Sequence, residues 1–208
     1  MLTVWVSKNR SKIPSNDFYR PFRNYFDRLK GFNLLVEEFH LRDSIPITYL
    51  EFGVAGGTSF EWWLKNARHK DSKFYGFDTF EGLPENWGLF YKKGDMSYEM
   101  REIKDDRHLF IKGVFQNTLP GFLKEHASSL ASSKQKVIHL DADLFSATLY
   151  VLCILHPVFN KGDLLIFDEF SVANHEFFAM DIFQKAFPVK FEPISAINNC
   201  YQTIFKVL

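Results

Sequence analysis

The chain has 208 residues, of which 46% are hydrophobic and 24% are charged, a composition typical of one globular domain with a full core. Lysine plus arginine equals aspartate plus glutamate at 25 each, which argues against a dedicated nucleic-acid-binding protein. No apolar run approaches the ~18 residues of a membrane span, and the N-terminus has no signal-peptide pattern. We therefore expect a cytoplasmic protein with neither nucleic acid nor membrane among its partners.

Residues 1–46 form a predicted N-terminal helical extension. Aromatic and apolar side chains recur at helical spacing over 17–30 and again over 32–41, which predicts two amphipathic helices. Pro46 then ends the helical pattern and precedes a strand. The aromatic helix at 17–30 offers a contact through which a homodimer could form.

From residue 47 to residue 208 the pattern alternates between strand and helix. Predicted strands cover 47–52, 73–78, 109–112, 136–141 and 163–168, and the last two strands, 189–195 and 200–207, form a hairpin. Predicted helices cover 58–68, 119–129, 146–159 and 174–187. Continuous apolar strands separated by helices indicate a buried, mostly parallel sheet with helices on both faces, to which the hairpin adds one antiparallel strand. The polar segment 84–106 is too long for an ordinary loop and is predicted to be a lid or binding loop.

The first of these strands runs through Glu51 into a glycine-rich turn, and a helix begins near Thr58 and Ser59. Glycines such as Gly53 and Gly57 let a ligand approach the backbone closely, and the N–H groups at the start of the helix face that ligand. The turn therefore predicts a site for a nucleotide-like cofactor.

The next strand ends at Asp78, followed by Thr79, about 25 residues after the turn, where a carboxylate accepts the hydroxyl hydrogens of a ribose. The turn reads G-x-x-G-G instead of the dinucleotide fingerprint G-x-G-x-x-G. Glu51 would repel a pyrophosphate and attract an ammonium or sulfonium group. These features favour S-adenosylmethionine over a dinucleotide as the cofactor.

Five ordered segments carry a specific resemblance: 49–59, 74–84, 111–120, 139–148 and 162–170. Together they resemble the macrocin O-methyltransferase-like family of class I methyltransferases. The resemblance implies a Rossmann-like α/β fold with a mostly parallel seven-stranded sheet and one antiparallel strand. It also implies transfer of a methyl group from S-adenosylmethionine to a hydroxyl of a small-molecule acceptor, typically a sugar.

By the same resemblance, Asp141, Asp168 and Glu169 hold a divalent metal ion, usually Mg²⁺, and hard oxygen ligands suit that ion. Asp141 is also the candidate general base, because a metal-chelated hydroxyl becomes acidic and a carboxylate beside it can take the proton. We also include Asp141 among the candidate contacts of the cofactor. The chain departs from the family pattern at Glu169 and Phe170, where Asp and Tyr are usual, and at Phe145, where Tyr is usual.

Other residues near the strand ends have a structural and a functional interpretation. Asp143 is interpreted as a helix cap and His139 as a core histidine. Phe80 and Phe115 follow two strands and could sandwich an adenine or belong to the core, and we include Phe115 among the candidate cofactor contacts.

Two alternative functions stay open at this point. A nicotinamide-dependent oxidoreductase would use the same sheet topology, but Glu51 and the glycine spacing argue against it. A non-catalytic module would keep the cofactor pocket, or only the fold, and the departures at Phe145 and Glu169 are consistent with it. No motif identifies the acceptor.

Overall fold

The computed structural model describes residues 1–172 and 174–208. Within these residues eight strands form one sheet: β1 (Ser15–Asn16), β2 (Thr48–Phe52), β3 (Lys73–Asp78), β4 (His108–Lys112), β5 (Lys136–Leu140), β6 (Leu164–Phe167), β7 (Phe191–Ile197) and β8 (Gln202–Val207). The α-helices of the same part of the chain are α1 (Leu2–Asn9), α2 (Arg28–Glu38), α3 (Thr58–Asn66), α4 (Phe115–Ala131), α5 (Phe145–Leu155) and α6 (Glu176–Ala186). None of these helices has the length and apolarity to cross a membrane.

The strand order across the sheet is β1-β7-β8-β6-β5-β2-β3-β4. Strands β6, β5, β2, β3 and β4 run parallel, and β8 runs antiparallel to both β6 and β7. This confirms the predicted α/β class with a mostly parallel sheet and one antiparallel strand. The sheet has eight strands instead of seven because Ser15 and Asn16 of the N-terminal segment pair with β7.

The two faces of the sheet bury different helices. On one face Phe122 of α4, Leu152 of α5 and Met180 of α6 belong to one apolar cluster. On the other face Phe32 of α2 and Trp63 of α3 belong to a second cluster. Each fully buried aromatic or aliphatic side chain of this kind contributes roughly 1.5–3 kcal/mol to stability, so both layers hold the sheet in place.

The predicted helices at 17–30 and 32–41 are wrong in their bounds. The chain from 17 to 24 has turns and irregular backbone, a 3-10 turn covers Tyr25–Asp27, and α2 follows directly. The tertiary structure supplies other hydrogen-bond partners here: the amide side chain of Asn199 accepts from the N–H of Arg20 at 3.1 Å and donates to its carbonyl at 2.9 Å.

Asn198 binds the backbone of Asn24 in the same way, at 3.0 and 2.9 Å. These bonds join the N-terminal segment to the β7–β8 turn and take up backbone groups that a helix would use itself. The aromatic side chains of Phe22 and Phe26 are exposed but do not form a helical face. The homodimer therefore stays a prediction, and the helix that was expected to form its contact is absent from this part of the structure.

Strand register decides where the polar residues meet. Phe52 is paired with Phe77 on one side and Leu140 on the other, and Leu140 is paired with Phe167. The residues that follow these four therefore lie at one edge of the sheet: Gly53, Asp78, Asp141 and Asp168. Backbone hydrogen bonds continue the ladder there, with the N–H of Gly53 donating to Phe77 and that of Asp168 to Leu140.

Candidate active site

The glycine turn after β2 brings its backbone against the end of β5. Gly53 has φ +98°, and a Cβ at this position would collide with the carbonyl of Asp141. Ala55 adopts a left-handed φ of +46°, and Gly57 precedes α3 with φ +74°. Only a residue without a side chain fits at Gly53, since both the backbone angle and the space exclude a Cβ.

Asp78 is fixed at the end of β3 by the backbone of two loops. Its two carboxylate oxygens accept the N–H groups of Ala55 and Phe80, each at 2.7 Å. The neighbouring Thr79 hydroxyl donates to the carbonyl of Gly82 at 2.7 Å. Each oxygen of Asp78 retains a second lone pair, so the carboxylate can still accept hydrogen bonds from a ligand.

A cavity of about 500 Å³ opens beside this turn, within the range of small-molecule sites. Five of the predicted cofactor contacts line it: Gly53, Asp78, Thr79, Phe115 and Asp141. The other four, which lie outside its wall, are Glu51, Gly57, Thr58 and Ser59. The end of β3 and the first half of the turn thus face the cavity, and the helix start lies farther away.

Glu51 lies in a buried polar network. Its Oε2 accepts a hydrogen bond from the Tyr49 hydroxyl at 2.6 Å, and that hydroxyl lies 2.9 Å from Nδ1 of His139. Burial raises the pKa of Glu51 to about 8, although the Tyr49 hydrogen bond and the charge of Arg28 oppose the change. Near neutral pH Glu51 is therefore mostly protonated, which weakens the predicted attraction of Glu51 for a cationic cofactor.

The network continues to Asp168 and Asp141 through an arginine of the N-terminal segment. Nε2 of His139 lies 3.6 Å from Oδ1 of Asp168. Nη1 of Arg28 lies 3.1 Å from Oδ2 of Asp168 and 3.3 Å from Oδ2 of Asp141. Burial opposes ionisation of Asp168, but the His139 imidazole and the Arg28 guanidinium outweigh it and lower its pKa.

Arg28 is a residue of the site that no sequence pattern indicated. Its partners lie 113 and 140 residues away along the chain, so no local pattern indicates the contact. Arg28 is 6% exposed, and the ring of Tyr25 lies over its guanidinium at 3.9 Å. A buried charge of this kind is stable only when it is paired, and Asp141 and Asp168 provide that pairing.

Three carboxylates face the cavity: Asp141, Asp143 and Glu169. Each offers an oxygen within 4.8 Å of the others. Burial raises the pKa of Asp143 to about 7, with Asp168 and Asp78 adding to it, and burial together with neighbouring carboxylates raises those of Asp141 and Glu169. If all three carboxyls ionised, their negative charge would exceed what Arg28 balances, which is why their pKa values are raised. Their hard oxygen donors fit a divalent cation such as Mg²⁺.

A family model described as a methyltransferase domain matches residues 50–170. The chain belongs to this methyltransferase family. The matched residues contain the glycine turn, Asp78 and the carboxylates at the ends of β5 and β6. The match confirms the methyltransferase assignment that the sequence segments predict.

The methyltransferase is 27% identical over 167 residues to the 8-demethyl-8-(2,3-dimethoxy-alpha-L-rhamnosyl)-tetracenomycin-C 4'-O-methyltransferase of Streptomyces olivaceus, a match that covers 70% of this chain. The chain spans about 60% of the length of that curated relative.

Two solved structures resemble its fold. The calicheamicin methyltransferase CalS11 has a TM-score of 0.60 at 17% identity, covering 98% of this chain and 90% of CalS11. The O-methyltransferase NovP has a TM-score of 0.64 at 20% identity, covering 86% of this chain and 79% of NovP. These likenesses confirm the Rossmann-like class I methyltransferase fold.

The methyltransferase does not bring its three predicted metal ligands together as one open set. Asp141 and Glu169 line the cavity, but Asp168 is fully buried and lies outside its wall. Asp143 lines the cavity in its place, with a left-handed φ of +58°. The interpretation of Asp143 as a helix cap is wrong, because the residue that precedes α5 is Leu144 and no side chain caps that helix.

Aromatic side chains form much of the remaining wall. Tyr25 and Tyr201 line the cavity, and the guanidinium of Arg23 covers the ring of Tyr201 at 3.4 Å. Trp87 and Tyr91 also line the cavity and stack on each other with centroids 4.9 Å apart. Such faces suit the apolar surface of a ring-shaped ligand.

Of the two phenylalanines predicted to sandwich an adenine, Phe115 lines the cavity. Phe80 lies outside that wall, buried against Phe110 in the core. The structure therefore does not support the Phe80–Phe115 sandwich.

The segment 84–106 lies against both the cavity and the glycine turn. Its cavity contacts are Pro84, Trp87, Tyr91, Met96 and Tyr98. Arg101 of this segment forms a 2.6 Å ion pair with Glu61 of α3, and its side chain is near Gly57. The segment thus packs against the turn.

Proposed function

We propose that this methyltransferase transfers a methyl group from S-adenosylmethionine to a hydroxyl of a sugar or of a sugar-bearing small molecule. The observation that carries the proposal is one cavity lined by the glycine turn and Asp78 together with the carboxylates of Asp141, Asp143 and Glu169. The Streptomyces relative, named as the 4'-O-methyltransferase of a rhamnosyl tetracenomycin, supports a hydroxyl of a sugar as the acceptor.

For the cofactor, the cradle at Gly53 fits a group that presses against the backbone, because a single added carbon would close it. We propose that Asp78 accepts the ribose hydroxyls through its remaining lone pairs. Thr79 and Phe115 complete this part of the wall. A sulfonium nearby would favour the ionised form of the buried Glu51, whose pKa of about 8 otherwise keeps it mostly neutral. The start of α3 near Gly57, Thr58 and Ser59 adds the positive end of its dipole.

For the acceptor, Asp141 is the proposed general base. One of its oxygens, Oδ2, is held by Arg28, and the residue lines the cavity through which the acceptor would enter. Burial and the charge of Asp168 raise the pKa of Asp141, and the charge of Arg28 only partly opposes that rise, so the ionised carboxylate is a stronger base than a free aspartate.

Mg²⁺ is the proposed metal ion at the carboxylate cluster. The fit rests on hard oxygen donors and on Oε2 of Glu169, which is buried and has no hydrogen-bond partner. When bound, a divalent cation makes a coordinated hydroxyl more acidic. The residues themselves have to orient the acceptor oxygen towards the methyl carbon, since the transfer is an in-line displacement.

The segment 84–106 is the proposed lid. Its stacked pair Trp87 and Tyr91 and its Tyr98 face the cavity, so the segment excludes water from it and offers aromatic faces to the acceptor. Most of its other apolar side chains, including Leu89 and Phe90, are exposed, which is the expected arrangement for a segment that changes position.

The proposal is tested by ligand-dependent unfolding and by product analysis. S-adenosylhomocysteine at about 100 times its Kd should stabilise the protein by ~2.7 kcal/mol, and NAD at the same concentration should leave its melting temperature unchanged. Incubation with S-adenosylmethionine and a panel of glycosides and nucleotide-linked sugars should give a methylated product by mass spectrometry. Stabilisation by NAD without stabilisation by S-adenosylhomocysteine would contradict the proposal.

A further inference from the structure

Two tyrosine rings from distant segments border the carboxylate end of the cavity. Tyr25 lies in the 3-10 turn before α2, Tyr201 directly precedes β8, and both line the cavity. The carbonyl of Tyr201 accepts the N–H of Phe170 at 2.7 Å, which places Tyr201 beside the strand end that carries Glu169.

The charges around the two phenols indicate the same neighbourhood. Burial raises the pKa of Tyr25, and the charges of Asp141 and Asp168 add to that rise. Burial and the charge of Glu169 raise the pKa of Tyr201. Both hydroxyls are therefore neutral near pH 7, and both rings lie close to the carboxylates.

An arginine covers one face of each ring. The guanidinium of Arg28 lies 3.9 Å from the ring centroid of Tyr25, and that of Arg23 lies 3.4 Å from the ring centroid of Tyr201. Both arginines lie outside the cavity wall, which indicates that they cover the ring faces turned away from the cavity. The attraction between a guanidinium and an aromatic face fixes each ring and leaves its other face free for a ligand.

One buried side chain brings the two tyrosines together. Asn198 binds the backbone of Asn24, the residue before Tyr25, at 3.0 and 2.9 Å. The carbonyl of Asn198 also accepts the N–H of Tyr201 at 3.2 Å, and Asn198 is 2% exposed. The N-terminal segment therefore contributes to the cavity wall at a fixed position relative to the β7–β8 turn.

This combination of groups matches the chemistry of a pyranose ring. A pyranose has hydroxyls around its edge and C–H bonds on its faces, so it needs hydrogen-bond partners at the edge and an apolar contact on a face. Carboxyl groups can bind hydroxyls in either protonation state, and Asp141, Asp143 and Glu169 offer oxygens within 4.8 Å of one another. The free faces of the two tyrosines offer the apolar contact.

We propose that Tyr25 and Tyr201 form the sugar subsite of this methyltransferase, with the C–H surface of a pyranose packed against their free faces and its hydroxyls directed towards the carboxylates. Both tyrosines lie outside residues 50–170, which the family model matches, so the subsite belongs to the segments that flank the methyltransferase domain model. The inference rests on the proposed transfer to a sugar hydroxyl and adds the residues that bind the sugar.

The test compares KM for the sugar that is methylated fastest among the methyl glycosides and the dTDP-linked forms of rhamnose, glucose and galactose. Tyr25→Leu and Tyr201→Leu should each raise this KM at least about fivefold, as expected for the loss of an aromatic contact. Tyr25→Phe and Tyr201→Phe keep the ring and should stay within about twofold of the wild type.

Phe22→Leu is the matched control. Phe22 belongs to the same N-terminal segment as Tyr25 but is 82% exposed and lies outside the cavity wall, so its replacement should change KM by less than about twofold. Calorimetry should find the affinity for S-adenosylhomocysteine within about threefold of the wild type in every variant, since the cofactor contacts are separate from these rings. A merely structural role of the tyrosines would weaken cofactor binding as well.

A second measurement needs no variant. Saturation-transfer NMR of the same sugar on the complex with S-adenosylhomocysteine, irradiated at the aromatic protein resonances, should saturate C–H protons of the sugar ring. Unchanged KM in folded Tyr25→Leu and Tyr201→Leu, or no transfer from aromatic protons, would overturn the subsite while methylation of the sugar left the proposed function intact. If none of these sugars is methylated, the proposed function fails and the subsite with it.

Discussion

Replacement of Arg28 by methionine tests how the N-terminal segment is coupled to the active site. Methionine keeps much of the length of the side chain but removes the guanidinium. Asp141 and Asp168 would then lie at the sheet edge without the cation that now lies 3.3 and 3.1 Å from their oxygens. Removing one partner of a buried ion pair costs about 3–5 kcal/mol.

The exposure of the two carboxylates decides where in this range the loss of stability should fall. The contact with Asp168 joins two groups that are both buried, whereas the side chain of Asp141 is 19% exposed at the cavity, so water can compensate in part for its lost partner. We therefore expect Arg28→Met to lower the free energy of unfolding by about 3 kcal/mol, near the lower end of the range. For a protein of this size that loss corresponds to a fall in melting temperature of about 6–12 °C.

Urea denaturation followed by circular dichroism measures this loss. Arg101→Met is the matched control, since Arg101 also forms an ion pair, with Glu61 at 2.6 Å, but is about half exposed. Exposed pairs contribute about 0–1 kcal/mol, so the control should stay within that range. If Arg28→Met costs no more than Arg101→Met, the buried network does not have the stabilising role inferred for it.

Three further substitutions test the cofactor and acceptor sites. Asp141→Asn should abolish methyl transfer in a radiolabel assay and leave the affinity for S-adenosylhomocysteine within about threefold, and surviving transfer would refute Asp141 as the base. Gly53→Ala should lower the free energy of unfolding, measured by urea denaturation, by at least ~2 kcal/mol more than Gly88→Ala does. Both glycines have positive φ, but an added Cβ would collide with the backbone only at Gly53, since nothing lies near a Cβ at Gly88. Equal losses of stability in the two variants would refute the predicted clash. Asp78→Asn should weaken S-adenosylhomocysteine binding at least tenfold by calorimetry, about 1.4 kcal/mol, and unchanged binding would contradict the ribose contact.

Local patterns in the sequence identified most of the sheet. The strand predicted at 73–78 has the same bounds in the structure, and α3 begins at Thr58 as predicted. The strands predicted at 73–78, 136–141 and 163–168 end at Asp78, Asp141 and Asp168, which the observed register places at one edge of the sheet. These features depend on residues close in sequence and on the fixed geometry of parallel strands, so they can be read without the tertiary structure.

Only the tertiary structure decided what happens at 17–28 and around the acids. The helical periodicity of the N-terminal segment gave way to hydrogen bonds with Asn198 and Asn199, which lie some 180 residues away in the chain. The same docking places Arg28 between Asp141 and Asp168.

The choice of which acids face the cavity has the same origin. Asp143 and Glu169 line the cavity and Asp168 does not, and nothing in their local sequence separates them. Charge pairing between distant segments depends on how those segments pack, and burial makes that pairing decisive because an unpaired charge is costly there. The sequence by itself thus determined the fold and the edge of the sheet where the site lies, and the tertiary packing determined which carboxylates face the cavity and which one is buried beside Arg28.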